Sequence, residues 1–206
     1  MICHTQLADD IHRQGFYLVD DFLDSNQAND LRILAQQLAE TGHYQHGKIG
    51  SQVQSVSDLS IRRDQRHWLD EASDVPAVSH YFAAMKAVSN TLNEQLFLGL
   101  TDFETHFALY PPGAFYKKHV DQFHNKKDRR ISCVYYLNPD WQEPFGGELR
   151  LYDHDDNLLA NVMPIANRLI CFLSDLPHEV CETRQTRLSI AGWMKTRQAQ
   201  LGPNLA

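Results

Sequence analysis

The chain has 206 residues, 43% hydrophobic and 22% charged, ordinary proportions for a globular protein long enough to bury a full core. Its net charge of −7 argues against a non-specific nucleic-acid binder, which needs a basic face for phosphates, although Arg62-Arg63, Lys117-Lys118 and residues 126–130 can form a local basic patch. No run of about 18 apolar residues marks a membrane span, and the first residues lack the charged and apolar regions of a signal peptide, so a cytoplasmic protein is expected.

Residues 5–14 read as a short polar helix stopped by Gly15, and Phe16-Tyr-Leu-Val19 as a strand. Asp24 or Ser25 can cap a helix that runs to about Thr41, with Ala28, Leu31, Leu34, Ala35 and Leu38 at helical spacing and Gly42 as its stop. Residues 42–60 are polar and are expected to form a mobile loop with room for a short hairpin. A second long helix is predicted from Val75-Pro76 to about Leu98, its buried stripe formed by Val78, Tyr81, Phe82, Met85, Val88 and Leu92.

From residue 102 the segments become short, alternating and rich in β-branched and aromatic residues. Strands are predicted at 103–110, 115–120, 131–137, 147–152, 158–163, 168–173, 178–181 and 187–195, with turns at Pro111-Pro-Gly113, Asn138-Pro-Asp140, Gly146-Gly147, 153–157 and Asp175-Leu-Pro177. About eight short strands without intervening helices point to a sandwich or double-stranded barrel of jelly-roll type. Helices first and strands after make the class α+β, with the helices buttressing one sheet. No linker or repeat is visible, so 1–206 is expected to be one domain: a helical part over about 1–100 and a jelly-roll core over about 101–197. The cysteines Cys3, Cys133, Cys171 and Cys181 contain no C-x-x-C pair. Three of them lie in β-like stretches and are expected to be buried free thiols, which fits a reducing compartment.

His119-Val-Asp121 closes a predicted strand, where residues two apart share a face, so both side chains can converge on one ion while Val120 points into the core. His178 opens a later strand that a jelly roll can bring opposite. Two histidines and a carboxylate form the facial triad of non-haem iron, with coordination positions left open for a chelating co-substrate and O₂. The H-x-D pattern is short and recurs at His154-Asp-Asp156, which reads as a solvated turn. Arg187, nine residues after His178 at the head of an apolar strand, can sit deep in the barrel. A buried guanidinium is costly without an anion and suits a dicarboxylate.

Seven stretches in order carry a resemblance over about residues 55–195: Ile61-Arg-Arg-Asp64 with Trp68, Tyr110-Pro-Pro-Gly113, Tyr116 with His119-Val-Asp121, Cys133-Val-Tyr-Tyr136-Leu-Asn-Pro-Asp-Trp141, Gly146-Gly-Glu-Leu-Arg-Leu-Tyr152, Arg168-Leu-Ile-Cys-Phe-Leu-Ser-Asp175, and His178-Glu-Val with Thr186-Arg187 and Trp193. Together they resemble the prolyl hydroxylase branch of the 2-oxoglutarate/Fe(II)-dependent oxygenases, the group of the hypoxia-inducible-factor prolyl hydroxylases and their bacterial counterparts. The resemblance implies a double-stranded β-helix of the cupin-like kind. It implies Fe(II) on His119, Asp121 and His178, 2-oxoglutarate as co-substrate paired with Arg187 and reached by the hydroxyls of Tyr136 and Tyr110, and O₂, with ascorbate as an accessory cofactor. Trp68 and Trp193 resemble aromatics beside the substrate proline. Asp64 and Arg129 resemble an ion pair that tethers the mobile loop to the segment after Asp121, whereas Tyr135, on the opposite strand face, is expected to be a core aromatic. An Asp at position 121 also argues against a halogenase, which needs that coordination position free.

The implied function is hydroxylation of a prolyl residue in a protein substrate, with translation elongation factor Tu as first candidate, since bacterial enzymes resembling this chain act on it. Two other readings stand beside it. One is a hydroxylase of a free amino acid or small peptide; the other is a non-catalytic, metal-binding jelly-roll sensing module. The chain departs from the animal enzymes at 122–130, which is more basic and one residue longer, and at 42–60. Both regions are expected to contact substrate, so substrate identity does not follow from the resemblance.

Overall fold

The computed structural model describes residues 4–47, 58–122 and 127–197. Helix α1 (His4–Gln14) leads into strand β1 (Phe16–Val19), followed by α2 (Ser25–Glu40), β2 (Gln45–His46), β3 (Gln65–Trp68) and α3 (Pro76–Leu96). Eight strands follow: β4 (Leu100–Tyr110), β5 (Tyr116–His119), β6 (Arg129–Tyr136), β7 (Leu149–Tyr152), β8 (Leu158–Val162), β9 (Leu169–Leu173), β10 (His178–Val180) and β11 (Arg187–Thr196). The helix boundaries obey local chemistry. Asp24 caps α2 by accepting from the Asn26 amide at 2.9 Å, Pro76 opens α3, and Phe97 ends it in the left-handed region at φ 54°. That left-handed residue stops α3 two positions before the expected Leu98.

A seven-stranded sheet in the order β1-β9-β6-β11-β4-β3-β2 faces a four-stranded sheet in the order β5-β10-β7-β8. This is the jelly-roll sandwich that the strand pattern predicts, with every one of the eight later strands in place. The period of two along each strand divides the core into two compartments. Ile131, Cys133 and Tyr135 of β6 and Leu188, Ile190 and Met194 of β11 pack against α1, α2 and α3, where Leu7, Leu31, Tyr81, Met85, Val88 and Leu92 are buried. Tyr110, Tyr136, Leu149, Leu151, Ile170, Phe172 and Val180 fill the space between the sheets. The helices thus stiffen the large sheet from outside, and its inner face is left to build a site. Tyr135 lies in the helix-side core with its hydroxyl donating to Asn167 Oδ1 at 2.9 Å, as its strand face implies.

Two elements depart from the sequence reading. Strand β3 is not expected from Gln-Arg-His-Trp, which shows no apolar alternation; it exists because its backbone pairs with β4, from Gln65 opposite Leu109 to Trp68 opposite His106. Within 42–60, residues 45–46 pair with β3, while 48–57 lie outside the described residues. Of the three cysteines expected to be buried, Cys133 and Cys171 are, but Cys181 is only half-buried, because it follows the end of the short strand β10. Among the described residues no helix is long and apolar enough to cross a membrane.

Candidate metal centre and its cavity

Between the sheets lies a cavity of about 220 Å³, lined among others by Tyr110, His119, Asp121, His178, Arg187 and Trp193. At one end, strand register sets His119 of β5 directly opposite His178 of β10. Asp121 stands two residues past His119, and the ligand atoms of the three side chains all lie within 4.8 Å of one another. The convergence does not come from strand alternation as expected, because β5 ends at His119. The backbone amides of Asp121 and Gln122 instead donate to the Ser174 carbonyl at 3.1 and 3.0 Å, which turns the chain and aims the carboxylate inward. Val120 consequently does not point into the core: it is 46% exposed at the cavity rim, since the edge strand has already ended.

The three side chains are oriented as a metal site requires. His119 donates from Nδ1 to the Lys117 carbonyl at 2.7 Å, and His178 from Nδ1 to the Leu176 carbonyl at 3.0 Å. A carbonyl only accepts, so both rings are fixed as the tautomer whose Nε2 carries a lone pair toward the centre. The Asp121 carboxylate takes a hydrogen bond from Ser132 Oγ at 2.7 Å, and Ser174 Oγ stands 2.9 Å beyond Ser132 Oγ. Burial alone would raise the Asp121 carboxyl, but His178 and His119 outweigh it and hold it well below the ordinary carboxylate range. Burial and the neighbouring His178 lower His119, whereas Asp121 overcomes the burial of His178 and raises it. Two neutral-capable imidazoles and an ionised carboxylate, each braced by an outer hydrogen bond, fit a divalent transition metal. Tyr116 stacks on His119 with ring centroids 3.6 Å apart, and Arg62 lies over the other side of Tyr116 at 4.1 Å. The competing motif is a turn: Asp153 Oδ1 accepts from the amides of Asp155 and Asn157, and Asp156 pairs with Lys118 at 3.0 Å.

Deeper in the cavity, Arg187 is 1% exposed. It donates from Nε to the Gly147 carbonyl at 2.9 Å and from Nη1 to Ser189 Oγ at 3.2 Å, and it stands 4.9 and 5.1 Å from the ring centres of Tyr110 and Tyr136. No carboxylate among the described residues pairs with it. The Tyr136 hydroxyl is buried without a hydrogen-bond partner among the described residues. Burial pushes its pKa up to about 12 and raises that of Tyr110 as well, so both hydroxyls stay protonated near neutrality and can donate to an anion. Arg184, by contrast, is exposed and donates to the Pro144 carbonyl.

Gly147 makes this geometry possible. Its φ is +71°, and a Cβ there would sit 3.1 Å from both Arg187 Cδ and the Thr183 side chain. Gly147→Ala should displace the guanidinium and cost about 1 kcal/mol of stability for the left-handed backbone. The expected result is a melting temperature lowered by about 2–4 °C with a several-fold higher 2-oxoglutarate requirement, measured by thermal unfolding and by titrating succinate release.

Trp193 is buried in the wall of the cavity, and Trp68, 53% exposed, stands beside it with ring centres 6.4 Å apart. Arg129 lies 3.5 Å over Trp193, with its Nη2 3.8 Å from Glu104 Oε2. Asp64 does not pair with Arg129 as expected. It is held by Arg62, through Nε at 2.6 Å and again through Nη2, because both side chains are buried together under the Tyr116 ring. Gly47 permits this approach, since a Cβ there would fall 2.6 Å from Arg62 Nε. Sequence reasoning missed Ser132, Ser174 and His106 as site residues. It also gave Tyr116 no role and Arg62 only a place in a basic patch, although both lie in stretches that carry the resemblance.

Comparisons with known proteins agree with this geometry. The family model described as the 2OG-Fe(II) oxygenase superfamily matches residues 105–195. Human prolyl hydroxylase EGLN3 is 30% identical over 190 residues, which cover 89% of this chain and 79% of the relative. Mouse Egl nine homolog 1 is 31% identical, and the match spans about half of its length, 47%. A crystal structure of a Pseudomonas putida prolyl-4-hydroxylase superposes with TM-score 0.85 at 36% identity over 95% of this chain and 100% of that one. A Trichoplax adhaerens prolyl hydroxylase, solved with a peptide fragment of the hypoxia-inducible-factor oxygen degradation domain, superposes with TM-score 0.86 at 25% identity over 93% and 88%.

Proposed function

We propose, because the chain belongs to the prolyl hydroxylase family of 2-oxoglutarate/Fe(II) oxygenases, that it hydroxylates a prolyl residue displayed by a protein substrate. The observation that carries this reading is one cavity lined by a buried cation with no carboxylate partner among the described residues, a two-histidine-one-carboxylate centre and Trp193, with Trp68 beside it. Each has a partner of matching chemistry in the proposed reaction.

His119, Asp121 and His178 are the residues that would hold the iron. When bound, iron(II) with 2-oxoglutarate supplies the activation of O₂ needed to oxidise an unactivated C–H bond. Arg187 takes the distal carboxylate of 2-oxoglutarate as a two-pronged hydrogen-bond donor, and the Tyr136 and Tyr110 hydroxyls complete the cradle. Trp68 and Trp193 present flat apolar faces to the pyrrolidine ring and shut water from it. Arg129 keeps Trp193 in place, and Asp64, through Arg62 and Tyr116, steadies His119 from behind. Each of these side chains contributes orientation and a dry pocket rather than chemistry of its own.

The half-exposed Trp68 beside the cavity suits a protein segment that continues beyond the cavity better than a free amino acid, which would be enclosed. The Trichoplax relative was solved with such a segment. Elongation factor Tu is our first candidate substrate, on the resemblance to bacterial enzymes, with the 4-position of a proline as the site and the cytoplasm as the compartment where the two would meet. Ascorbate remains our proposal for an accessory reductant.

The test is succinate release from 2-oxoglutarate with iron(II) and purified elongation factor Tu, coupled to mass spectrometry of lysate proteins with and without enzyme. Substrate-stimulated succinate and one added oxygen on a proline are expected. Added oxygen only on free amino acids or small peptides would replace the protein substrate. No succinate with any candidate would leave a metal-binding module.

A further inference from the structure

His106 lies on β4 between the two tryptophans, its ring centre 4.9 Å from that of Trp68 and 5.6 Å from that of Trp193. It is on the inner face of the large sheet, in line with Ala108 and Tyr110, while Phe107 turns to the helices. The ring is 2% exposed, and its Nδ1 is buried with no hydrogen-bond partner among the described residues. It is not part of the cluster formed by His119, Asp121 and His178. Burial, reinforced by the nearby cations of Arg66, Arg62 and Arg129, keeps the imidazole neutral.

A polar ring in this place is unfavourable for the free protein. Leaving a buried polar atom unpaired costs about 1–3 kcal/mol, and an apolar side chain of similar size would pack between two indoles without that cost. The ring lines the cavity where the reading above, on which this inference rests, seats the target proline. A prolyl residue has no amide hydrogen to offer, but the peptide carbonyls on either side of it need donors once water is excluded. A neutral imidazole has one donor and one acceptor, and it stands within the tryptophan cleft itself.

We propose that His106 is a substrate-specificity residue, whose imidazole hydrogen-bonds the main chain of the protein substrate beside the proline that enters between Trp68 and Trp193. The ring lines the cavity, so the contact falls to the nitrogen that faces the substrate once the proline is seated, which the variants below identify. Arg187 and the triad are untouched by this contact, so the co-substrate and metal should not register its loss.

The test compares His106→Leu, His106→Asn and His106→Gln with the wild type, using purified elongation factor Tu or, if that is unmodified, the protein on which the lysate experiment finds the added oxygen. His106→Leu should raise KM for the protein substrate about tenfold. The 2-oxoglutarate KM and iron(II) affinity should stay within about twofold of wild type, and the melting temperature should not fall. Asn places a polar atom near Nδ1 and Gln near Nε2, so recovery of KM by either variant supports the proposal and identifies the nitrogen. An unchanged protein KM in a folded His106→Leu variant overturns it. So does a parallel loss of 2-oxoglutarate or iron binding, which would mark a purely structural residue, and so does failure of both polar variants to recover KM. A wild-type enzyme that adds oxygen to no prolyl protein overturns the functional reading, and this proposal with it.

Discussion

Asp121→Ala should abolish iron-dependent succinate release and lower iron(II) affinity by more than the roughly 10- to 100-fold typical of losing an outer hydrogen-bond partner. The carboxylate is the one anionic group among the three converging side chains, and its charge is secured by its surroundings. His178 and His119 hold it well below the ordinary carboxylate range against the effect of burial. Because this shift is downward, the charged form is present above the unfolded value of about 4 and is lost only as pH falls through a still lower value. Weakening of iron binding as pH falls should therefore follow protonation of the histidines, beginning with His178, whose affinity for protons is raised above that of an ordinary imidazole. Ser132→Ala serves as a graded control. It deletes the 2.7 Å hydrogen bond to Asp121 while leaving the carboxylate, so its loss of iron affinity should stay within the outer-partner range. Isothermal titration with iron(II) under anaerobic conditions measures both variants, and circular dichroism checks that they fold. Retained turnover in Asp121→Ala would remove Asp121 from the metal set.

The contrast between Asp121 and Ser132 shows what the sequence makes legible. Strands with alternating apolar residues declare themselves locally, so all eight later strands, the three helices and the sandwich class could be read from the chain. The triad and Arg187 were legible because their spacing to strand ends is short and the surrounding stretches resemble a known family. Ser132 has no such signal. It matters because β6 lies beside β9, which places Ser132 opposite Phe172 and brings Ser174 within reach of it. The same holds for His106, which acquires its tryptophan neighbours only through pairing of β3 with β4 and of β4 with β11. Asp64 was assigned the wrong arginine for a related reason. Arg62 and Asp64 are two residues apart and share the buried space under Tyr116, a contact that depends on where β5 runs. Val120 failed in the opposite direction, because alternation was extrapolated one residue past the end of a strand.

Arg187→Ala should raise the 2-oxoglutarate requirement about 100-fold or more while leaving iron(II) affinity and the KM of the protein substrate nearly unchanged. The reasoning starts from burial. A guanidinium taken out of water costs several kcal/mol unless it is paired, and among the described residues Arg187 has a backbone carbonyl, a serine hydroxyl and two tyrosine rings, but no carboxylate, to offset that cost. Removing one member of a buried, hydrogen-bonded charge pair typically costs about 2–5 kcal/mol, which corresponds to roughly 30- to several-thousand-fold in affinity. The same burial predicts the opposite sign for the protein without co-substrate. Arg187→Met, which keeps much of the side-chain volume and removes the charge, should be no less stable than wild type when 2-oxoglutarate is absent. Wild type should overtake it as 2-oxoglutarate is added, since a ligand that binds only the folded state raises the unfolding free energy. Arg187→Lys keeps the charge but loses the planar fork, and should fall between the two in 2-oxoglutarate requirement. Thermal unfolding with and without 2-oxoglutarate, alongside succinate kinetics, separates these outcomes. A variant that loses only protein-substrate affinity would take the co-substrate away from Arg187. A crossing of the two stability curves would show that the unpaired cation is held in the core at a cost that the bound carboxylate offsets.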